Sequence, residues 1–133
     1  MYKKLDVWLK SMELVDQIYK AIDLFPKNEI YSLSDQIKRA AISVPCNIAE
    51  GMTRNSDKEK IHFLNISRAS ASEVETLLII AHKRKYLQLI ENELSLINDI
   101  RSMLYKLEKR LSDTGQRTTD IGQRLTDNGK RGD

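Results

Sequence analysis

The sequence has few cysteines, prolines and glycines, and it has no long apolar run. Its 133 residues include one Cys, two Pro and five Gly. A single Cys cannot form an internal disulfide, which favours a reducing compartment. No run approaches the roughly 20 apolar residues of a membrane span. The segment Met1–Asp6 reaches an acid before any apolar run, so no secretory leader is expected. We therefore predict a cytoplasmic protein with no membrane partner.

Charge of one sign is also scarce. The chain has 22 basic and 19 acidic residues, which leaves a formal net charge of +3. So small an excess is only a weak indication of a polyanionic partner. The apolar fraction of 41% is typical of a globular chain. The length suggests a single domain.

Glycine is concentrated in the last 21 residues, which contain four of the five Gly. Three related units, at 115–120, 122–127 and 129–133, recur there every seven residues. A coiled coil needs two apolar positions per heptad, whereas these units offer at most Ile121 or Leu125. Because so polar a segment cannot offset its ordering entropy, we predict that 113–133 is a disordered tail. The folded domain is then 1–112.

Apolar residues in the first half of this domain recur at helical spacing. The first stripe ends before Pro26, because a proline disfavours helix at the residue preceding it. Pro45 falls inside the second stripe and is expected to kink that helix. The stripes are Leu5, Trp8, Met12, Val15, Tyr19 and Ile22 in the first helix, and Leu33, Ile37, Ala41, Val44 and Ile48 in the second.

Two further helices follow. Ser56 and Glu59 form a capping box that opens the third helix, which we predict to run to about Lys85. Its middle is small and polar, while Leu77–Ala81 is apolar on every side and predicted to be buried. The fourth helix, starting near Tyr86, carries Leu87, Ile90, Leu94, Ile97, Ile100, Leu104, Leu107 and Leu111. Short connections make neighbours antiparallel, so the predicted fold is all-α, an up-down-up-down four-helix bundle.

The helices carry more apolar residues than one bundle core needs. Additional apolar residues flank the main stripes of the first and fourth helices, and exposed rows of this kind mark contact surfaces. We predict a homo-oligomer built on helices 1, 3 and 4. The predicted oligomer contacts are Leu9, Leu14, Leu89, Leu96 and Met103.

Residue types suited to catalysis are sparse. Bundles can hold two metal ions with a Glu-x-x-His motif on each of two helices. Glu59 and His62 form one such pair, but His82 has no Glu three residues before it. Cys46 has no His near it in the sequence and is interpreted as a buried, inert thiol. We therefore predict no enzyme activity, no catalytic residues, no metal or cofactor, and no small-molecule substrate.

Polar and small residues cluster in the second helix and in the middle of the third. One hypothesis makes this cluster a binding or catalytic surface. The hypothesis we favour pairs an Arg of the first group with a Glu of the second as inter-helix salt bridges, because a buried ion pair can fix register. The pairing candidates are Arg39 or Arg54 with Glu73 or Glu75. Asn47 and Glu50 complete this predicted polar network.

The densest basic site is formed by Lys83, Arg84 and Lys85. These cations can simply complement the C-terminal dipole of the third helix. Alternatively they contact nucleic acid, with Lys38 as a further candidate. A ring of subunits would repeat such a patch, and phosphate affinity grows with the number of contacts.

Several motifs occur in a specific order: Phe25-Pro26, Glu29-x-Tyr31-x-Leu33-x-x-Gln36-Ile37-Lys38-Arg39-Ala40-Ala41, Asn47-Ile48-Ala49-Glu50-Gly51, Phe63-Leu64, Ser70-Ala71-Ser72-Glu73-x-Glu75-Thr76 and Tyr86-Leu87. Over about residues 4–111 they resemble the bacterial four-helix bundle family of intervening-sequence proteins. Members of this family include proteins encoded within insertions of large-subunit ribosomal RNA genes. The resemblance implies an antiparallel bundle, ring-like homo-oligomers that are typically pentamers, and no established catalytic residues. The family is also similar in fold to the accessory variability determinant proteins of retroelements, which bind RNA and a reverse transcriptase through a basic surface.

Two functions are compatible with these observations. The first is a non-enzymatic, self-assembling scaffold or adaptor that binds RNA or a ribonucleoprotein. The second is a purely protein-binding homo-oligomer with no nucleic-acid contact. RNA binding that weakens as salt rises would separate the first from the second.

Overall fold

The computed structural model describes the backbone of residues 1–131 and the side chains of residues 1–114. It contains four α-helices and two short 3₁₀ turns, the latter at Tyr2–Lys4 and Lys27–Glu29. None of the helices, over the residues described, combines the length and apolar character needed to cross a bilayer. The α-helices are α1 (Asp6–Ile22), α2 (Leu33–Met52), α3 (Asp57–Lys83) and α4 (Glu91–Arg131).

The four helices form an antiparallel bundle, as predicted. Each helix contacts the helices that precede and follow it, and α1 also contacts α4. The direction of packing is visible between α2 and α3. The hydroxyls of Ser43 and Ser70 lie 2.8 Å apart, and the buried Ser67 hydroxyl donates to the carbonyl oxygen of Val44 at 2.8 Å. Residue numbers therefore fall along α3 as they rise along α2.

The core follows the predicted stripe of α2 closely. All five predicted residues of that stripe are at most 9% exposed. The stripe of α4 is also largely confirmed, since Ile97, Ile100 and Leu104 are fully buried. Apolar spacing at the helical period therefore located the inner faces of these two helices.

The predicted stripe of α1 lies at the edge of the core and not at its centre, since Leu5, Trp8, Val15 and Ile22 pack partly buried against it. The buried residues are instead Val7, Ser11, Leu14, Ile18 and Ala21. Met12 and Tyr19, predicted for the core, are 40% and 48% exposed. The buried stripe passes through a serine that a count of apolar residues overlooks. The Ser11 hydroxyl donates to the carbonyl oxygen of Trp8 at 2.6 Å, and this local bond allows a hydroxyl to be buried.

The helices α2 and α3 approach closely near the end of α2. A Cβ added at Gly51 would lie 3.0 Å from the Phe63 Cβ and 3.1 Å from the Lys60 carbonyl oxygen. The absence of a side chain at Gly51 is therefore what allows α3 to begin so near α2. The helix also runs without interruption through Pro45, and the kink expected there stays a prediction.

The limits of α3 agree with the prediction, whereas α4 begins later than predicted. The Glu59 amide donates to the Ser56 hydroxyl at 3.1 Å, which confirms Ser56 as the cap. The helix ends at Lys83, and α4 begins at Glu91 rather than near Tyr86. The apolar run before this end is only partly buried, because Ile79 and Ile80 are 39% and 41% exposed. One side of that run faces away from the core.

The backbone of α4 is helical as far as Arg131, well past the predicted boundary of the bundle at residue 112. The side chains of 115–131 and the whole of 132–133 lie outside the described residues. The proposed character of the tail therefore stays a prediction.

Candidate functional site

One end of the bundle is formed by the α1–α2 and α3–α4 connections. At the end of α3, Lys85 adopts a left-handed conformation with φ 67°. The Tyr86 amide donates to the Ala81 carbonyl and the Lys85 amide donates to the His82 carbonyl. This pair of bonds is the Schellman motif, which usually has glycine at the left-handed position. A lysine at this position gives no sequence signal for the end of α3.

A side-chain network joins the two connections. The Tyr86 hydroxyl donates to a carboxylate oxygen of Glu29 at 2.9 Å, and the Tyr86 ring packs against Phe25 with centroids 5.6 Å apart. Hydrogen bonds from Ser32 and then from Tyr86 hold the pKa of Glu29 below its ordinary value. The Tyr86 phenol, and to a smaller extent the Glu29 charge, raise the pKa of Arg84.

The remaining candidates for nucleic-acid contact are placed differently. Lys83 and Lys85 are exposed and line an open depression of about 550 Å³ together with His82, Leu87 and Gln88. No acidic residue lines that depression. Lys38 lies on α2, half-buried, and no contact among the described residues joins it to this cluster.

The predicted salt bridges between α2 and α3 are wrong. Arg39 pairs with Asp35 at 2.8 Å within α2, and Arg54, just beyond the end of α2, pairs with Glu50; in each pair the acid lies four residues before the arginine. Both arginines therefore find acids close by in the sequence, which needs no inter-helix register. Asn47 donates to the backbone carbonyl and hydroxyl of Ser43.

Glu75 does form an inter-helix ion pair, but its partner lies on α4. Two nitrogens of Arg101 donate to its two carboxylate oxygens at 3.1 and 2.7 Å. Arg101 also contacts the hydroxyl of Ser72 and the amide oxygen of Asn98. Glu73 is exposed, and the described residues provide no ion-pair partner for it. Sequence reasoning missed Arg101, because nothing in its local pattern separates it from a solvent-facing arginine.

A second α3–α4 pair was also missed. Arg68 lies 3.0 Å from the Glu108 carboxylate and stacks over the ring of Tyr105. Glu108 is only 7% exposed. Burial raises the pKa of Glu108, and the positive charge of Arg68 offsets this effect only in part. The sequence signal for this pair was the position of Glu108 between Leu104 and Leu111 in the apolar stripe of α4.

An apolar groove separates α1 from α2. It has a volume of about 330 Å³. On the α1 side it is lined by Trp8, Met12 and Val15 of the predicted apolar stripe. Pro45 and Cys46 form part of the α2 side. Its lining consists of Tyr2, Trp8, Met12, Val15, Ile42, Pro45, Cys46 and Ala49.

The predicted oligomer contacts divide into two groups. Leu14 and Leu96 are 0% and 7% exposed, so they are core residues and their assignment to a contact surface is wrong. Met103 packs partly buried against the core. Leu9 and Leu89 are exposed, at 49% and 79%, as a contact role requires. Cys46 was also misassigned, since it is an exposed thiol in the groove.

Among the residues whose side chains are described, no three His, Cys, Asp or Glu side chains converge as a metal site would require. His62 packs edge-on against the ring of Phe63, with centroids 5.2 Å apart. Nδ1 of His82 lies 3.1 Å from the carbonyl oxygen of Leu87. Each imidazole therefore has a structural contact of its own.

Comparison with known protein families matches residues 3–108 to the 23S rRNA-intervening sequence proteins. The chain belongs to this family. A solved structure of a protein of unknown function from the S23 ribosomal protein family of Bacteroides thetaiotaomicron is 29% identical, with a TM-score of 0.66. That similarity covers 77% of this chain and 98% of the other. No curated protein matches.

Membership confirms the resemblance found in the sequence motifs. The match ends at residue 108, so the seven-residue repeats lie outside it. Three motif residues that are far apart in sequence, Phe25, Glu29 and Tyr86, meet at the same end of the bundle. At least part of the family pattern is therefore explained by the contacts that hold these two connections together.

Proposed function

We propose that this protein is a non-enzymatic, cytoplasmic scaffold that self-assembles and holds RNA or a ribonucleoprotein. Self-assembly uses the apolar groove between α1 and α2. RNA contact uses the basic end of the bundle. The ring-like pentamers of the family that the sequence resembles agree with assembly, and a ring would repeat the basic end around an axis.

The groove is the observation that carries the proposal. The bundle already has a continuous core, and the groove leaves apolar side chains partly exposed at its edge. Met12 and Ile42 remain 40% and 37% exposed on opposite walls. Burying such side chains against another copy stabilises an assembly in proportion to the apolar area removed from water.

The test of assembly is a charge placed in the groove. Light scattering of the wild type at micromolar concentration should give a mass well above the 15.4 kDa of one chain. Ile42→Glu should weaken assembly at least about tenfold, because the carboxylate would be desolvated in the interface. Ile66→Glu is the matched control, since Ile66 on α3 is also 37% exposed and lies outside the groove.

The two outcomes that contradict assembly are distinct. A wild-type mass equal to one chain overturns self-assembly altogether. Equal dissociation by Ile42→Glu and Ile66→Glu would show that the groove is not the contact. Wild-type assembly without RNA binding at about 50 mM salt would favour the purely protein-binding alternative.

A further inference from the structure

The most exposed aromatic residue in the described part of the chain lies at the basic end. Tyr31 is 96% exposed, and the neighbouring Ile30 is 51% exposed. Both follow Glu29, whose carboxylate is held by Tyr86 of the α3–α4 connection. Tyr86 directly follows Lys85 in the sequence, so Tyr31 and Lys85 lie at the same end of the bundle. An exposed aromatic ring and the exposed Lys83 and Lys85 therefore share one end of the bundle.

The electrostatics of this end differ from one side to the other. Lys83 and Lys85 border a depression that no acidic side chain lines. On the side facing α1, Lys20 shares a smaller depression with Glu93, so its charge is offset locally. Among the described residues, the depression beside Lys83 and Lys85 therefore has basic side chains and no acidic side chain in its lining.

The conformation of Lys85 is a second, independent observation. A left-handed φ costs energy in any residue with a Cβ, and glycine is the usual occupant of this position. Lysine contributes no described contact that would compensate this cost inside the protein. Local strain of this kind is typical of positions whose side chain serves a function.

We propose that Tyr31, Lys83 and Lys85 form a binding surface for unpaired RNA. The two ammonium groups contact backbone phosphates, and a base stacks on the ring of Tyr31. Unpaired RNA fits better than a duplex, because only an unpaired base can offer its face to a single exposed ring. This inference rests on the RNA-binding part of the proposed function.

The first test separates binding from folding at Lys85. Lys85→Gly relieves the left-handed strain, so the thermal midpoint should rise by about 2–5 °C. The same change removes one phosphate contact and should weaken binding of a fluorescent oligo(U) of about 16 nucleotides roughly fivefold at 0.1 M salt. Lys109→Ala is the charge-matched control, since Lys109 is exposed on α4 far from this end. It should leave both quantities nearly unchanged.

The second test concerns stacking. Tyr31→Ala should weaken oligo(U) binding about tenfold, whereas Tyr31→Phe, which retains the ring, should bind like the wild type. Binding of an RNA duplex of the same length should change little in either variant. Because Tyr31 is almost fully exposed, neither substitution should alter the thermal midpoint.

Each contrary result has its own meaning. A wild-type protein that binds neither RNA at about 50 mM salt overturns the RNA-binding part of the proposed function. Wild-type RNA binding that survives Tyr31→Ala and Lys85→Gly overturns only this surface. Equal losses for duplex and oligo(U) on Tyr31→Ala overturn the preference for unpaired bases. Binding to anionic vesicles that both variants abolish, with RNA binding intact, would make the surface a membrane contact.

Discussion

The packing of α2 against α3 makes a quantitative prediction at Ser67. This side chain is fully buried, and its hydroxyl donates to the Val44 carbonyl of the other helix at 2.8 Å. Nearby, the hydroxyls of Ser43 and Ser70 also meet at 2.8 Å. Small polar side chains at these positions allow the two backbones to approach. Both the hydrogen bond and the small volume of Ser67 should therefore contribute to stability.

Two substitutions separate these contributions. Ser67→Ala removes the hydrogen bond and should lower the free energy of unfolding by about 1 kcal/mol. Ser67→Val loses the same bond and adds methyl groups to a closely packed interface, which costs a further 1–3 kcal/mol, roughly. We expect a total loss of about 2–4 kcal/mol for the valine variant.

The assay is urea unfolding followed by helical circular dichroism and by Trp8 fluorescence at one protein concentration, because assembly would make stability depend on concentration. Ser102→Val is the control, since Ser102 is exposed on α4 and should change stability by no more than about 0.5 kcal/mol. Equal stability of Ser67→Val and Ser67→Ala would refute the reasoning, because it would mean that the interface has room for a larger side chain.

Two further predictions concern the ion pairs between α3 and α4. Burial raises the pKa of Glu108, so the folded state favours the protonated carboxyl group. The stability that this preference contributes is complete at low pH and is lost as pH rises through the raised pKa. Glu108→Gln should therefore increase the thermal midpoint at neutral pH but not near pH 4, and an unchanged or lower midpoint at neutral pH would contradict this account. For the half-buried Glu75–Arg101 pair, a double-mutant cycle with alanine should give a coupling of about 1 kcal/mol. Glu73→Gln, on the exposed side of the same helix, should be neutral, and a coupling near zero for Glu75 would remove the pair from the account of stability.

The parts of the fold that were predictable depend on local rules. The stripe of α2 was found because five apolar residues at helical spacing leave one inner face. The start of α3 was found because Ser56 satisfies an amide of its own first turn. Such features involve residues within a few positions of one another, so the chain alone contains them.

The candidate site was predictable only in part. Lys83, Arg84 and Lys85 were recognisable as a basic run, but nothing local indicated that Tyr86 and Glu29 would raise the pKa of Arg84. Tyr31 was known only as a motif residue. Its near-complete exposure depends on how the α1–α2 connection lies against the rest of the bundle.

The sequence by itself determined the number of helices, their approximate limits and the inner face of α2, because helical period, caps and proline act over short distances. Only the tertiary structure decided the rotation of α1. There Ser11 and Leu14 turn inward and a broad apolar face remains outside as the groove. It also decided that Glu75 pairs with Arg101, and that Lys85 ends a helix in a left-handed conformation. These outcomes depend on which surfaces meet after packing, and the spacing of residues along one helix contains no information about its neighbour.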